Sequence, residues 1–302
     1  MALYLGDKKV CPTLTIEKTL PSMKAFFEAG GKCSRSTATS FEGCLQPSDT
    51  KNVTDMAYMF YYCPNLTTIP QLDTSNVTNM QSMFSSCSSL KTIPKLDTSK
   101  VTNMYEMFSS CSKLTTIPQL DTSKVTNMYE MFYECSSLTT IPQLDTSNVT
   151  SMEYMFSYCP NLTTIPQLDT SSVTSMRNMF SSCSKLTTIP QLDTSNVKSM
   201  ESMFSYCSKL TTIPQFDTSK VTSMFLMFTS CSSLTAIHMI NINVNFNISS
   251  STKFTREALV EIIGNLKAQT SGSKTLTIGS TNLAKLTDED KAVATGKGWT
   301  LA

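Results

Sequence analysis

The sequence predicts an α/β repeat solenoid, in which short helix–strand turns stack side by side, form a parallel sheet and are capped at both ends. A strict internal period predicts the repeats, because eight cysteines recur every 24 residues without insertion or deletion. These cysteines are Cys63, Cys87, Cys111, Cys135, Cys159, Cys183, Cys207 and Cys231. A Met-Phe pair, an Asp-Thr pair and a Leu-Thr-Thr-Ile-Pro run keep the same step, so the chain carries eight copies of one unit.

A short helix is predicted in each copy, because apolar residues recur at the spacing of one helical face. In the second copy these residues are Val77, Met80, Met83, Phe84 and Cys87. The preceding segment, Asp73-Thr74-Ser75, carries side-chain oxygens that suit the free amide groups at a helix start.

A short strand is predicted after each helix, because the Leu-Thr-Thr-Ile-Pro run is rich in β-branched residues and ends in proline. Neighbouring strands would pair in parallel at about 4.8 Å. One copy cannot bury its own apolar face, but stacked copies can. We therefore expect every in-frame Met, Phe, Cys, Leu and Ile side chain to be buried.

The chain divides into three predicted segments. Residues 1–48 form an N-terminal cap, residues 49–240 hold the eight repeats, and residues 241–302 form C-terminal capping helix–strand turns. Residues 20–27 align with residues 53–60, so the first cap contains a degenerate repeat. Caps are expected because an open solenoid end would expose a core face and a sheet edge.

The C-terminal segment is predicted to contain two further helix–strand turns. A helix is expected over residues 255–266, followed by a strand over residues 275–278. A capping-box pattern at Thr287 opens a second helix that ends at Gly296, and residues 299–301 can add a last strand.

The repeat resembles a known family. The patterns F-x-x-C-x-x-L-x-x-I-P and D-T-S-x-V-T-x-M-x-x-M-F resemble those of the BspA-like leucine-rich repeat proteins, in particular the branch of bacterial and mycoplasmal surface proteins. The resemblance covers about two thirds of the chain. It implies a leucine-rich-repeat-like stack and a surface-exposed role in adhesion or host-protein binding. It identifies no binding residues, because the shared letters are core and turn letters.

Composition argues against several classes of function. The 302 residues include 24 basic and 23 acidic side chains, a net charge of +1, so no general attraction to nucleic acid or anionic membrane is expected. No apolar run approaches the roughly 18 residues of a membrane span. Residues 1–12 lack a secretory signal pattern, so membrane insertion is not expected and the location is either a cell surface, by resemblance, or a virion.

No catalytic, cofactor or metal site is expected. His238 is the single histidine, there is no C-x-x-C motif, and nine glycines form no phosphate loop. The repeat cysteines are interpreted as buried thiols, while Cys33 and Cys44 could pair under oxidising conditions, although free thiols are favoured. We therefore expect a protein without enzymatic activity.

Two repeated polar rows have alternative interpretations. The aspartates could line up calcium ions, but helix capping is favoured because the turns lack glycine; they are Asp73, Asp97, Asp121, Asp145, Asp169, Asp193 and Asp217. The paired threonines could bind ice, but they are adjacent and would face opposite sides of a strand. Ordinary strand filling is the favoured interpretation.

The candidate binding residues are those that vary between copies, chiefly the two residues between the in-frame methionines. They are Tyr58, Tyr105, Glu106, Tyr129, Glu130 and Tyr154. On a helix row they would point outward, and Tyr105, Tyr129 and Tyr154 would form one strip on consecutive rungs. A tolerant solvated face is the alternative.

The leading functional hypothesis is a non-enzymatic binding or adhesion scaffold that presents a repeated surface to a protein or glycan partner. A phage virion protein, from the tail or a head accessory structure, is the first alternative, because residues 1–10 resemble the opening of some phage tail-associated proteins. An intracellular partner-binding repeat protein is the second alternative.

Overall fold

A computed structural model of the chain describes residues 4–5, 8–9, 39–40 and 47–302. The chain forms two compact units, residues 1–149 and residues 150–302, which are described separately. The degenerate repeat over residues 20–27, together with Cys11, Cys33 and Cys44, lies outside the described residues, so these predictions are not tested. The three-segment division likewise stays a prediction.

Unit 1 begins with a short antiparallel pair, β1 (Tyr4–Leu5) and β2 (Lys8–Lys9). A single helical turn, α1 (Pro47–Thr50), precedes the first repeat. Thr67 N donates to Thr39 O at 3.0 Å, so the first repeat also pairs with the described part of the chain before it.

Successive repeats stack through backbone hydrogen bonds. Met80 N donates to Asn103 O at 3.0 Å, and Ser82 N donates to Tyr105 O at 2.8 Å. The intervening amide groups close tight turns inside the rung, as Met83 N does to Met80 O at 3.2 Å. Alternate amides therefore point to the next rung, and within each unit the repeats form a solenoid, as predicted.

The predicted helix in each copy is wrong. The segment from Met80 to Cys87 is a chain of tight turns, in which Ser82 has φ 50° and Ser86 has φ 63°. A positive φ at the third residue is the signature of a type II turn and interrupts an α-helix. A helix would use its amide groups inside the copy, whereas these turns leave alternate amides to bond the neighbouring rung.

The predicted strand is present only at the C-terminal end of the repeats. In the described residues the repeats contain β3 (Thr212–Asp217) and β4 (Ala236–Ile240), which pair in parallel with a register shift between Ile213 and Phe216. In the other described repeats, this segment is joined to the neighbouring copy by single backbone hydrogen bonds, such as the one from Thr139 N to Thr115 O at 3.4 Å.

Proline explains why the sheet is so short. Each of the first seven copies has a proline after the isoleucine, and proline has no N–H group to donate to a ladder. The eighth copy has His238 at that position and forms β4, whereas the seventh copy keeps Pro214 and forms β3 with an irregular register. The shift in β3 lies at Pro214, between Ile213 and Phe216.

The burial prediction is confirmed throughout the described repeats. Every in-frame Met, Phe, Cys, Leu and Ile side chain is buried, with no more than 9% of its surface exposed. Phenylalanine rings stack from rung to rung, as Phe84 does on Phe108 with centroids 5.7 Å apart and planes at 4°. Each rung therefore completes the core of its neighbour.

The cysteine thiols form a second buried ladder. Cys111 Sγ donates to Phe84 O of the preceding rung at 3.1 Å, and Cys135 Sγ does the same to Phe108 O. All eight repeat cysteines are buried. A thiol here fills apolar space and also satisfies a carbonyl oxygen, which an alanine would leave without that bond.

The C-terminal part of unit 2 largely confirms its prediction. The first helix is α2 (Arg256–Gly264), and the strand β6 (Lys274–Thr277) follows it. The second predicted helix is α4 (Asp288–Gly296), which opens at Thr287 with both bonds of a capping box. The last strand, β7 (Trp299–Leu301), pairs in parallel with β6.

Two short elements of this segment were not predicted. Strand β5 (Phe246–Asn247) precedes α2 and pairs in parallel with β6. The short helix α3 (Ser280–Leu283) begins after Gly279, whose φ is 78°.

Candidate functional site

The variable residues between the methionines occupy tight turns and form two columns within each unit. The first column holds Ala57, Gln81, Tyr105 and Tyr129 in unit 1, and Glu153, Arg177, Glu201 and Phe225 in unit 2. The second column holds Tyr58, Ser82, Glu106 and Glu130 in unit 1, and Tyr154, Asn178, Ser202 and Leu226 in unit 2. Every second-column residue has a positive φ.

The structure brings two of the predicted tyrosines together. Tyr105 and Tyr129 share the first column and stack with ring centroids 5.1 Å apart and planes at 5°. Both rings are half-buried, so the expectation that they point fully outward from a helix is wrong. Tyr154 lies in the second column of the other unit, so the three tyrosines do not share one column.

The remaining predicted residues lie beside this stack or near the start of unit 1. Tyr58 belongs to the second column, and its Oη accepts a hydrogen bond from Gln81 Nε2 at 2.6 Å. Glu106 and Glu130 are half-buried second-column residues on the same rungs as the stacked tyrosines. Ser82 Oγ donates to Glu106 Oε2 at 3.1 Å.

Glu106 and Glu130 interact with the stacked tyrosines, and Glu134 interacts with Glu130. Burial, followed by the nearby charges of Glu106 and Glu134, raises the pKa of Glu130, although a hydrogen bond from Tyr129 opposes the shift. Burial and the hydrogen bond to Glu106 raise the pKa of Tyr105 to about 12. Among the described residues, no lysine or arginine makes a salt bridge to any of these three carboxylates.

We define the tyrosine–glutamate patch as Tyr105, Glu106, Tyr129, Glu130 and Glu134. Its first four members were predicted from their variability between copies. Glu134 is exposed and accepts a hydrogen bond from Ser110 Oγ at 3.1 Å. Glu134 follows Tyr133 after the Met-Phe pair, at a position that varies between copies. Only the folded structure shows that its charge raises the pKa of Glu130.

The columns of unit 2 contain a cation. The guanidinium carbon of Arg177 lies 5.9 Å from the centroid of the Tyr154 ring. Its Nε lies 3.6 Å from Glu201 Oε2, and both side chains are partly exposed. An aromatic ring on one rung and a carboxylate two rungs further along therefore hold one arginine side chain between them.

Other aromatic side chains are exposed on the same turns. Tyr62, Tyr158 and Tyr206 occupy the second position after the in-frame phenylalanine and are half or more exposed. Phe225 is 66% exposed and adjoins Leu226 in the last rung. A groove of about 440 Å³ beside Phe225 is lined in part by Asn245 and Lys274.

The aspartate row lies in a different set of grooves. Asp97 Oδ1 accepts hydrogen bonds from Ser99 N at 3.0 Å and Ser99 Oγ at 2.7 Å, and these bonds lower the pKa of Asp97. The expected helix capping is therefore replaced by a turn in which the carboxylate bonds the residue two positions on. Asp97 N in turn donates to the buried Thr74 Oγ1 at 2.8 Å.

These grooves have nearly the same walls in both units. One groove of about 710 Å³ in unit 1 includes Gln71 and Asp97, and one of about 700 Å³ in unit 2 includes Gln191 and Asp193. Glutamine amides along the grooves donate to the next rung, as Gln71 Nε2 does to Lys95 O at 2.9 Å. Much of the polar surface of these grooves therefore forms hydrogen bonds between neighbouring rungs.

The paired threonines do not alternate in exposure. Thr67 and Thr68 are both exposed, whereas a regular strand would turn them to opposite faces. The irregular backbone before the proline is the reason, since among the described repeats the first strand is β3.

In the part of the chain that the structure describes, no group of three or more His, Cys, Asp and Glu side chains is arranged to hold a metal ion. His238 Nδ1 lies 2.7 Å from Glu261 Oε1, and both side chains are partly exposed. None of the helices of the described chain is long and apolar enough to cross a membrane.

The raised pKa of Glu130 gives a testable pH dependence. The folded chain holds this proton more tightly than the unfolded chain, so ionisation at rising pH costs stability. We expect Glu130→Gln to raise the melting temperature by about 1–2 °C near pH 7. Below the ordinary glutamate pKa of 4.5 the difference should vanish, because both states are protonated.

A control of opposite sign is available in α2. Hydrogen bonds at the helix start lower the pKa of Glu257, so Glu257→Gln should lower the melting temperature near neutral pH. Thermal unfolding of both variants at several pH values checks the pair. A lower melting temperature for Glu130→Gln near pH 7 would contradict the interpretation of the patch.

The chain belongs to the family described as "Mycoplasma protein of unknown function, DUF285". The family model matches four overlapping segments, residues 22–140, 65–165, 112–211 and 160–258, which together span well over half of the chain. This match agrees with the resemblance to BspA-like leucine-rich repeat proteins. No curated protein matches the chain at a significant level.

Several solved structures are similar to the chain at low identity. A leucine-rich cell surface protein from Faecalibacterium prausnitzii is 19% identical, with 64% of this chain and 78% of that chain covered and a TM-score of 0.27. An internalin from Listeria monocytogenes is 12% identical, covering 85% and 69%, with a TM-score of 0.32. A leucine-rich repeat protein from Bacteroides ovatus is 17% identical, covering 83% and 82%, with a TM-score of 0.21. The family assignment does not rest on these likenesses.

Proposed function

We propose that the chain is a non-enzymatic binding scaffold whose turn columns contact a protein partner. The tyrosine–glutamate patch carries this proposal. It combines two stacked aromatic rings, which are favoured at interfaces, with three carboxylates that have no internal basic partner among the described residues. The repeats supply the rigid support, because each rung is bonded to its neighbours through the backbone.

The Gln–Asp grooves support the proposal less well. Their lining repeats almost letter for letter, so one stretch differs little from the next. Their glutamines and aspartates already bond other parts of the turns. A glycan that reads a periodic surface would use these grooves, whereas a partner that selects one place on the stack would use the columns.

The resemblance to bacterial and mycoplasmal surface proteins supports an adhesion role at a cell surface. The family match also favours a bacterial repeat protein over the phage and intracellular alternatives. In this role the variable columns would distinguish partners, while the constant core residues would keep the stack intact.

The patch can be tested by removing its charge without removing its rings. We expect the triple variant Glu106→Gln, Glu130→Gln, Glu134→Gln to stay folded and to lose capture of those proteins that the immobilised wild-type chain binds from cell-surface extracts. Quantitative mass spectrometry of the bound fractions measures the loss.

A control with the same charge change separates the patch from general electrostatics. Glu257→Gln, Asp288→Asn and Glu289→Gln lie on exposed positions of the C-terminal helices. This control variant should retain the captured set. Retention of the full set by the patch variant would move the site to the grooves or to the exposed tyrosines after the Met-Phe pair.

A further inference from the structure

We propose that the tyrosine–glutamate patch receives an arginine side chain from a basic peptide segment of its partner. This inference rests on the proposed function and specifies the chemistry of the partner. It applies to unit 1 and involves only the stacked rings of Tyr105 and Tyr129 and the carboxylates of Glu106, Glu130 and Glu134.

Unit 2 provides the internal example of such a contact. Arg177 occupies the first column there, with its guanidinium against the Tyr154 ring and its Nε near the Glu201 carboxylate. Ser223 Oγ donates to the other oxygen of Glu201 at 2.6 Å and holds that carboxylate in place. The turn columns of this protein therefore accept a guanidinium between an aromatic ring and a carboxylate.

Unit 1 has the same kinds of group, and among its described residues no lysine or arginine makes a salt bridge to these carboxylates. Its columns carry two rings and two glutamates on the rungs of Tyr105 and Tyr129, and Glu134 adds a third carboxylate. Serine hydroxyls hold two of these carboxylates, as Ser82 does for Glu106 and Ser110 for Glu134. Unit 1 thus shares the pairing of rings with carboxylates, although its columns are exchanged: the rings lie in the first column and Glu106 and Glu130 in the second.

Charge complementarity favours a cation over any other occupant. Glu106 and Glu134 both raise the pKa of Glu130, so the three carboxylates repel one another. A bound cation would relieve that repulsion and would gain attraction from all three charges. A second copy of the same patch would add to the repulsion and is disfavoured.

Arginine suits the site better than lysine. Its planar guanidinium can stack on a tyrosine ring while its N–H groups reach carboxylates at the ring edge. A lysine ammonium is a compact and strongly hydrated charge that gains less from the stacked rings. We therefore expect selection of arginine over lysine, beyond a general preference for positive charge.

The experiment uses the full chain and the short peptide Gly-Arg-Gly-Arg-Gly, with lysine and citrulline versions of the same length as controls. Calorimetric titration at low salt should show binding of the arginine peptide at least about three times tighter than the lysine peptide. The citrulline peptide should show no binding, because it keeps the shape of arginine without the charge. Binding should weaken as salt is raised.

The patch and control variants complete the test. The Glu106→Gln, Glu130→Gln, Glu134→Gln variant should bind the arginine peptide at least about tenfold more weakly, while the Glu257→Gln, Asp288→Asn, Glu289→Gln variant should bind it as the wild type does. Thermal unfolding confirms that both variants are folded. Equal loss in both variants, or unchanged binding by the patch variant, would overturn the inference.

The inference about arginine and the proposed function can fail independently of each other. Patch-dependent capture of surface proteins without binding of the arginine peptide would overturn the inference about arginine and leave the scaffold proposal in place. Peptide binding without patch-dependent capture would support the arginine contact and count against the proposed role. Equal binding of arginine and lysine peptides would overturn the selectivity for a guanidinium.

Discussion

Phe108→Ala should lower the free energy of unfolding of unit 1 by about 3–5 kcal/mol. Phe108 is completely buried and stacks on two neighbours. Its ring centroid lies 5.7 Å from that of Phe84 and 5.6 Å from that of Phe132. Removing the ring leaves a cavity in the middle of the ladder and deprives two further rungs of a packing partner. Urea unfolding followed by intrinsic fluorescence measures the loss.

Phe225→Ala is the matched control, since it removes the same atoms from a residue that is 66% exposed. We expect its effect on stability to stay within about 0.5 kcal/mol. Comparable losses in the two variants would mean that the phenylalanine ladder does not bear the stability of the repeats. Because repeat proteins lose stability locally, hydrogen exchange should rise first in the rungs next to Phe108.

The core could be predicted from the sequence because the same periodic residues are buried whether the local backbone is a helix or a series of tight turns. A strict period with Met, Phe, Cys, Leu and Ile in fixed places requires those side chains to meet those of the next copy. The same spacing suits a helical face and a series of tight turns, since Met80, Met83 and Cys87 lie on one side in both. The choice between them is made by hydrogen bonds to the next rung, and no local pattern encodes those bonds.

The loss of the sheet could have been foreseen from one residue type. Proline after isoleucine removes a donor in seven of the eight copies, and of these seven only the copy next to the His238 copy forms a strand, with a register shift beside its proline. The pattern of β-branched residues predicts strands, but it takes no account of the N–H group that each proline lacks.

The candidate site was predicted in part. Variation between copies identified Tyr105, Glu106, Tyr129 and Glu130, and the structure brings these residues together. The predicted position of Tyr154 was wrong. A helix would place both residues between the methionines on one row, whereas the tight turns separate them into two columns. The pairing of Arg177 with Glu201 was missed, although both vary between copies, because their contact depends on the distance between rungs.

The buried thiol of Cys111 should resist alkylation in the folded chain by about a thousandfold. Burial raises the pKa of Cys111 from 9.0 to about 12, which cuts the reactive thiolate fraction by roughly that factor. Its Sγ also donates to Phe84 O, and the residue has no exposed surface. Burial raises the pKa of Cys183 and Cys207 well above the usual range as well.

Alkylation with a maleimide, with and without denaturant, followed by peptide mapping tests this expectation residue by residue. Mapping keeps the eight repeat cysteines apart from Cys11, Cys33 and Cys44, which lie outside the described residues. Labelling of the repeat cysteines should follow global unfolding, so Phe108→Ala should accelerate it at Cys111 and Cys135 more than Phe225→Ala does. Rapid labelling of several repeat cysteines in the native chain would show that the turns open without unfolding, and the buried thiol ladder would then not be a stable part of the core.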